Sequence, residues 1–166
     1  MKYSLKRHLL VETIPDHIDE HPYFEALRQY VDHAEADYWQ GIIKTHHPDG
    51  CSTEAFIGIN DEDDTGGIWI DKLEVVNTQT RKLDPQCFRK GYAKEMLQAL
   101  TRAADETGTP LTLIAAFEPY LGRMYPDLEL PDKDDLAALY SKYGFVETSR
   151  NYAQVHMNRP PINNRG

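Results

Sequence analysis

The chain is poor in cysteine, short of basic residues and without a long apolar run, and each shortage removes a class of protein. No stretch reaches the ~18 consecutive apolar residues that cross a bilayer, so no membrane partner is expected. Residues 1–8 (MKYSLKRH) lead into no apolar signal core or small-residue cleavage site, so secretion is not expected. The two cysteines, Cys51 and Cys87, are too few for a disulfide framework and form no CxxC pair. They read as two ordinary thiols in a reduced, cytoplasmic compartment. The seven histidines show no HExxH or similar ligand spacing. His46 and His47 are adjacent and point apart on any regular element, so no metal is expected. Lys and Arg number 18 against 27 Asp and Glu, a formal charge of −9. That balance argues against a general phosphate-backbone binder, and no nucleic-acid partner is expected. The absence of a Walker motif and of GxGxxG disfavours the common nucleotide-binding α/β proteins.

What is present suits one domain. A length of 166 residues can bury a sizeable core, and 40% hydrophobic with 27% charged residues is a globular balance. The chain divides into a domain over 1–158 and a tail over 159–166 that looks frayed. Apolar residues at alternate positions predict a strand over 3–11. Phe24, Leu27, Val31, Ala34 and Tyr38 recur at helical spacing, which predicts a helix from Pro22 to about Lys44. Strands are expected over 55–60 and 67–77, joined by the polar hairpin turn 61–66. Ala93, Met96, Leu97, Leu100, Ala103 and Ala104 share one face of a strong helix that ends at Gly108. Residues 111–116 read as a strand buried on both faces. Residues 117–131, with three prolines, read as irregular. A second strong helix starts near Asp132 and stops at Gly144, where a left-handed cap would fall. Two strands close the chain. The order predicts an α/β fold, with a mixed sheet flanked by helices.

Residues 81–94 hold five basic residues (Arg81, Lys82, Arg89, Lys90, Lys94) against one acidic (Asp84), a local +4 in a chain of −9. Gly91 and Ala93 stand at the start of the strong helix. Bare NH groups at a helix N-terminus attract anions, and small residues there let phosphates come close to the backbone. The alternative is a solvated basic helix start with a packing glycine.

Two segments together carry a family resemblance. Lys90-Gly91-Tyr92-Ala93-Lys94, followed by an amphipathic helix, resembles the acyl-CoA pyrophosphate loop of the GNAT N-acyltransferase superfamily. Leu139-Tyr140-Ser141-Lys142-Tyr143-Gly144-Phe145 resembles that family's second motif, commonly Leu-Tyr-x-Lys-x-Gly-Phe. The strand around Leu73-Glu74-Val75 looks like the one before the loop, and the resemblance spans roughly residues 67–157. It implies a single-domain GNAT-like fold and an N-acetyltransferase that moves an acetyl group from acetyl-CoA to an amine by direct attack. It implies acetyl-CoA as co-substrate, held by Arg89, Lys90, Gly91, Tyr92, Ala93 and Lys94 and by the strand backbone at Leu73 and Val75. It implies that Tyr140 protonates the leaving thiolate. Glu74 is the first candidate for the base, with Asp71 or water as the alternatives. Homodimers are common in such enzymes.

The match has departures. Phe88 stands where the family usually has Gln or Arg, three residues before the glycine. Pro85 lies ten residues beyond Val75 instead of two; either 77–84 is an insertion or the strand register runs on to Leu83-Asp84-Pro85, and the insertion is favoured because Leu73 and Val75 read better as strand. The second-motif helix often begins with Asn, and here Lys133 or a nearby Asp stands instead. These departures keep open a second reading, a catalytically weak acyl-CoA-binding or protein-interaction module on the same fold. The acidic segment 127–135, with Asp127, Glu129, Asp132, Asp134 and Asp135, suits a cationic amine or basic peptide as acceptor. The competing reading is a solvated acidic loop.

Overall fold

The structure is a computed structural model of the chain, and it describes residues 17–37, 39–62, 65–116 and 119–162. The strand expected over 3–11 lies outside the described residues. Seven strands form one sheet: β1 (His33–Ala36), β2 (Gln40–His46), β3 (Cys51–Ile59), β4 (Ile68–Asn77), β5 (Leu111–Ala116), β6 (Val146–Arg150) and β7 (Gln154–Arg159). Their order across the sheet is β1-β2-β3-β4-β5-β7-β6. Every pairing is antiparallel except β4 with β5. The helices are α1 (Pro22–Leu27), α2 (Tyr92–Thr107), α3 (Pro119–Met124) and α4 (Lys133–Ser141). This is the mixed α/β sheet flanked by helices that the sequence predicts.

The first helix is a correction. It ends at Leu27, and residues expected to continue it form β1 and β2. The reason is local. The Asp37 carboxylate accepts from the backbone NH of Trp39 at 2.9 Å and of Gln40 at 2.8 Å, which closes a hairpin turn. β-Branched Ile42, Ile43 and Thr45 then favour a strand over a helix. Residues 117–131, read as irregular, contain the short α3.

α1, α2 and α4 pack on one sheet face. Ile43, Ala55, Ile68, Leu111 and Val155 point to it and are fully buried. Tyr23 of α1 donates its hydroxyl to the Leu100 carbonyl of α2 at 2.9 Å, tying the two helices together. A β-carbon on Gly41 would come within 2.9 Å of the Phe24 ring, so only glycine lets α1 lie this close to β2.

Arg159 is a second correction. Arg159, expected at the start of a frayed end, is the last residue of β7 and only 3% exposed. Its guanidinium donates to both Asp105 carboxylate oxygens on α2, at 2.7 and 3.0 Å, and to the Tyr143 carbonyl just past α4. Arg159 shares the face of Leu111, its cross-strand partner. α2 and α4 therefore lie on the same side of the sheet.

Candidate active site

β4 and β5 are paired over only three residues each, Ile68 to Ile70 with Leu111 to Leu113. Beyond that point β4 runs on to Asn77 and β5 to Ala116 without further pairing between them. The parting coincides with a bulge. Ile57 pairs with Ile70 and Phe56 with Lys72, which leaves Asp71 as an extra residue on β4. A bulge bends its strand and re-aims the groups beside it. The sheet thus opens between its two central strands, next to the segment that leads into the basic loop.

Leu73, Glu74 and Val75 lie on the length of β4 that pairs with β3 but not with β5. Leu73 is opposite Ala55 and packs on the helix-side core. Glu74 is opposite Glu54 and faces the other way. The two carboxylates are balanced by cations. Glu54, with its side chain only 5% exposed, has Lys44 at 3.7 Å and Arg81 at 3.4 Å, while Glu74 has Lys72 at 3.4 Å.

The insertion read at 77–84 is a tight turn that returns on β4. The Asn77 amide donates to the Lys82 carbonyl at 2.9 Å, and Val76 bridges to Leu83. A 3₁₀ turn, Pro85–Cys87, follows, with the Asp84 side chain accepting from the Gln86 amide at 3.0 Å. Phe88, the family departure, sits edge-on to Tyr125, whose hydroxyl donates to the Leu83 carbonyl at 2.8 Å. Packing of this loop accounts for an aromatic residue there.

Gly91 is the N-cap of α2, with φ of +80°, and has no side chain to occupy the NH groups of the first turn. No heavy atom lies within 4 Å of where its β-carbon would be, apart from its chain neighbours. Arg89, two residues earlier, is also left-handed at φ +61°, a conformation that residues other than glycine rarely adopt. The open helix end, the glycine and the cations of Arg89, Lys90 and Lys94 make a place that could hold an anionic group.

A neighbour that sequence reasoning missed already engages this loop. The tip of the β2–β3 hairpin places Asp49 against it, accepting from Lys90 Nζ at 2.6 Å and the Tyr92 hydroxyl at 2.7 Å. The Lys90 hydrogen bond, then that of Tyr92, holds the Asp49 carboxyl at a pKa of about 2. The same bond pushes the Tyr92 phenol up. His47 stacks flat on Tyr92, with ring centroids 3.5 Å apart. The only sequence signal at this place is the Pro48-Asp49-Gly50 turn, which says nothing of a partner 41 residues away.

The cysteines are a third correction. Cys51 and Cys87 are not two free thiols but a disulfide, with their Cα atoms 5.7 Å apart. The bond joins the first residue of β3 to the last residue of the 3₁₀ turn.

Tyr140 lies on α4, on the helix side of the sheet, packed on the core and edge-on to Phe145. Burial pushes its phenol pKa up, so it is protonated at neutral pH. Glu74 faces the opposite side. The structure therefore does not bring the two together on one face; the opening between β4 and β5 lies between their sides of the sheet.

The acidic segment is mostly committed. Asp132 and Asp135 form a reciprocal cap of α4. Asp134 accepts from Arg150 at 2.9 Å, and Glu129 receives Arg89 on its carbonyl at 3.0 Å. Through Arg89 this segment touches the basic loop, so it is not independent of it. Among the described residues no cluster of three or more His, Cys, Asp or Glu could hold a metal, and no helix is long and apolar enough to cross a membrane.

No family model matches the chain, and no curated protein matches it either. Solved structures do. One, from Bordetella pertussis, is described as a "Putative GnaT-family acetyltransferase"; it is 14% identical, with 72% of this chain and 65% of that chain covered and a TM-score of 0.46. A second, from Desulfovibrio desulfuricans, described as a "putative acetyltransferase of the GNAT family", is 11% identical over 74% of this chain and 69% of that one, at a TM-score of 0.48. A third, from Pyrococcus horikoshii OT3, is 17% identical over 69% of this chain and 66% of that one, at 0.40.

Proposed function

We propose that the protein is an N-acetyltransferase that takes acetyl groups from acetyl-CoA and delivers them to a primary amine. One observation carries the reading: the sheet opens between β4 and β5 at the Asp71 bulge, beside a glycine-capped, cation-rich start of α2. The acetyl-CoA thioester supplies an activated carbonyl. The α2 first-turn NH groups, with Arg89, Lys90 and Lys94, hold its pyrophosphate. Backbone around Leu73 and Val75, without a partner strand on the β5 side, offers NH donors to a carbonyl oxygen gaining negative charge.

The two sides of the sheet then have separate tasks. Glu74 faces the side away from the helices, where it accepts a proton from an ammonium directly or through water. Tyr140, kept neutral by burial, holds a proton on the helix side for the departing thiolate. The acceptor is a cation at neutral pH, drawn by Glu74 and by Asp127 at the edge of the acidic segment.

The test is a transfer assay: purified protein, acetyl-CoA and a panel of primary amines, with release of the CoA thiol followed by a colorimetric thiol reagent. Amine-dependent release above the blank is expected. Tight CoA binding without turnover on any amine would favour the binding-module reading instead.

A further inference from the structure

The donor loop is fastened by a bond with a chemistry of its own. Cys87 is followed directly by Phe88-Arg89-Lys90-Gly91, the loop assigned above to the CoA pyrophosphate, and Cys87 is bonded to Cys51 on β3. The other ties between this loop and the β2–β3 hairpin are non-covalent: Lys90 to Asp49, with the side chains 40% and 29% exposed, Tyr92 to Asp49, and the His47 ring stacked on Tyr92. Ion pairs of this kind hold weakly. The loop also carries two left-handed residues, Arg89 and Gly91, and a left-handed non-glycine residue persists only where its surroundings hold it. The disulfide is the covalent part of that hold.

The bond lies at the wall of a cavity. Cys51 and Cys87 are only 3% and 2% exposed. Both nevertheless line a cavity of about 520 Å³ whose wall also includes His47, Asn77, Gln86 and Lys90.

We propose that the Cys51–Cys87 disulfide positions the donor loop and makes affinity for the CoA moiety depend on the redox state of this pair, high when oxidised and low when reduced. The proposal rests on the donor-site reading above. The switching reaction is a thiol–disulfide exchange with a dithiol. One thiolate of the dithiol attacks a sulfur of the pair to give a mixed disulfide, and its second thiolate resolves it. Each cysteine sulfur gains one electron and one proton, and the dithiol leaves as its own disulfide.

The experiment uses the full chain and desulfo-CoA, which has no thiol to exchange with the pair. Its Kd is measured by calorimetry for the oxidised protein, for the protein reduced with dithiothreitol, and for Cys51→Ser/Cys87→Ser. Hydrogen exchange is followed over residues 88–94 and over β5. The expected result is a Kd at least ten-fold higher in the reduced and variant proteins, with faster exchange at 88–94 and unchanged exchange in β5. Reoxidation of the reduced wild type should restore the Kd, which keeps the test valid if the variant fails to fold. In turnover, KM for acetyl-CoA should rise while KM for the amine stays put. Equal Kd values in the oxidised and reduced wild type overturn the proposal and leave the donor-site reading standing. No desulfo-CoA binding by the oxidised protein overturns both.

Discussion

Tyr140 and Asp49 are the residues on which the proposed chemistry turns most sharply. A phenol that gives up a proton must first keep it, and burial does that for Tyr140 by raising its pKa. Tyr140→Phe preserves the ring against Phe145 and removes only the hydroxyl. Turnover should fall by roughly 10²-fold or more, the usual range for losing a general acid, with little change in KM for acetyl-CoA. A folded variant with wild-type turnover removes Tyr140 from the mechanism. Asp49 acts in the opposite sense. Its carboxylate occupies Lys90 and Tyr92, so a pyrophosphate must compete with it. Because the Asp49 pKa is held at about 2, the competition persists across the whole working pH range. Asp49→Asn removes the charge and should lower the Kd for CoA by about two- to five-fold, the scale of a partly exposed ion pair. A weaker Kd would mean that Asp49 presents Lys90 to the ligand instead of competing with it. Only the first of these roles could be read from sequence. Tyr140 stands in a recognisable motif, but Asp49 meets its partners only when the β2–β3 hairpin folds over the start of α2.

At the scale of elements, Arg159 joins β7, α2 and the end of α4 through Asp105 and the Tyr143 carbonyl. Removing one partner from a buried ion pair leaves the other charge uncompensated, at a cost on the order of 3 kcal/mol. Arg159→Met should therefore lower Tm by roughly 10 °C for a chain of this size. The pair also sets a pH dependence. Burial pushes the Asp105 pKa up, but the Arg159 hydrogen bond, the Ile162 amide and the Arg159 charge together bring it below the ordinary carboxylate value. A carboxylate depressed in the folded state stabilises above its unfolded pKa, and that stability is lost as pH falls through the folded value. Asp105→Asn should flatten the acid side of a Tm-against-pH profile; an unchanged slope would show that other carboxylates govern it. The elements differ in how far they could be read. α2 and α4 were legible because their apolar residues follow one helical period; β5 was legible as a short apolar run, but it is buried on one face only, with Thr112, Ile114 and Ala116 half-buried on the other. β1 and β2 were not, because Leu27, Val31 and Ala34 continue a helical spacing that the Asp37 turn overrides. Arg159 looked like a tail residue because its partners lie 54 and 16 positions away. The disulfide was hidden for the same reason, since two cysteines 36 residues apart carry no spacing signal.

Across the whole molecule, the proposed function sets its two ligands on opposite sides of the sheet at the parting of β4 and β5, and this predicts a kinetic order. The donor loop and Tyr140 belong to the helix side, through α2 and α4, while Glu74 faces away from it. A donor seated along α2 and an amine approaching Glu74 therefore come from different sides and meet only where β4 and β5 diverge. Neither ligand has to leave for the other to enter. No cysteine thiol is free among the described residues to take the acetyl group first, and direct attack needs both ligands bound together. Initial-rate plots against acetyl-CoA at several fixed amine concentrations should therefore give intersecting lines. Desulfo-CoA should compete with acetyl-CoA but not with the amine. Parallel lines, or an acetylated protein trapped by mass spectrometry when the amine is withheld, would mean that a protein nucleophile carries the acetyl group. The roles given to Glu74 and Tyr140 would then fall, because neither is placed to relay an acyl group from one side of the sheet to the other.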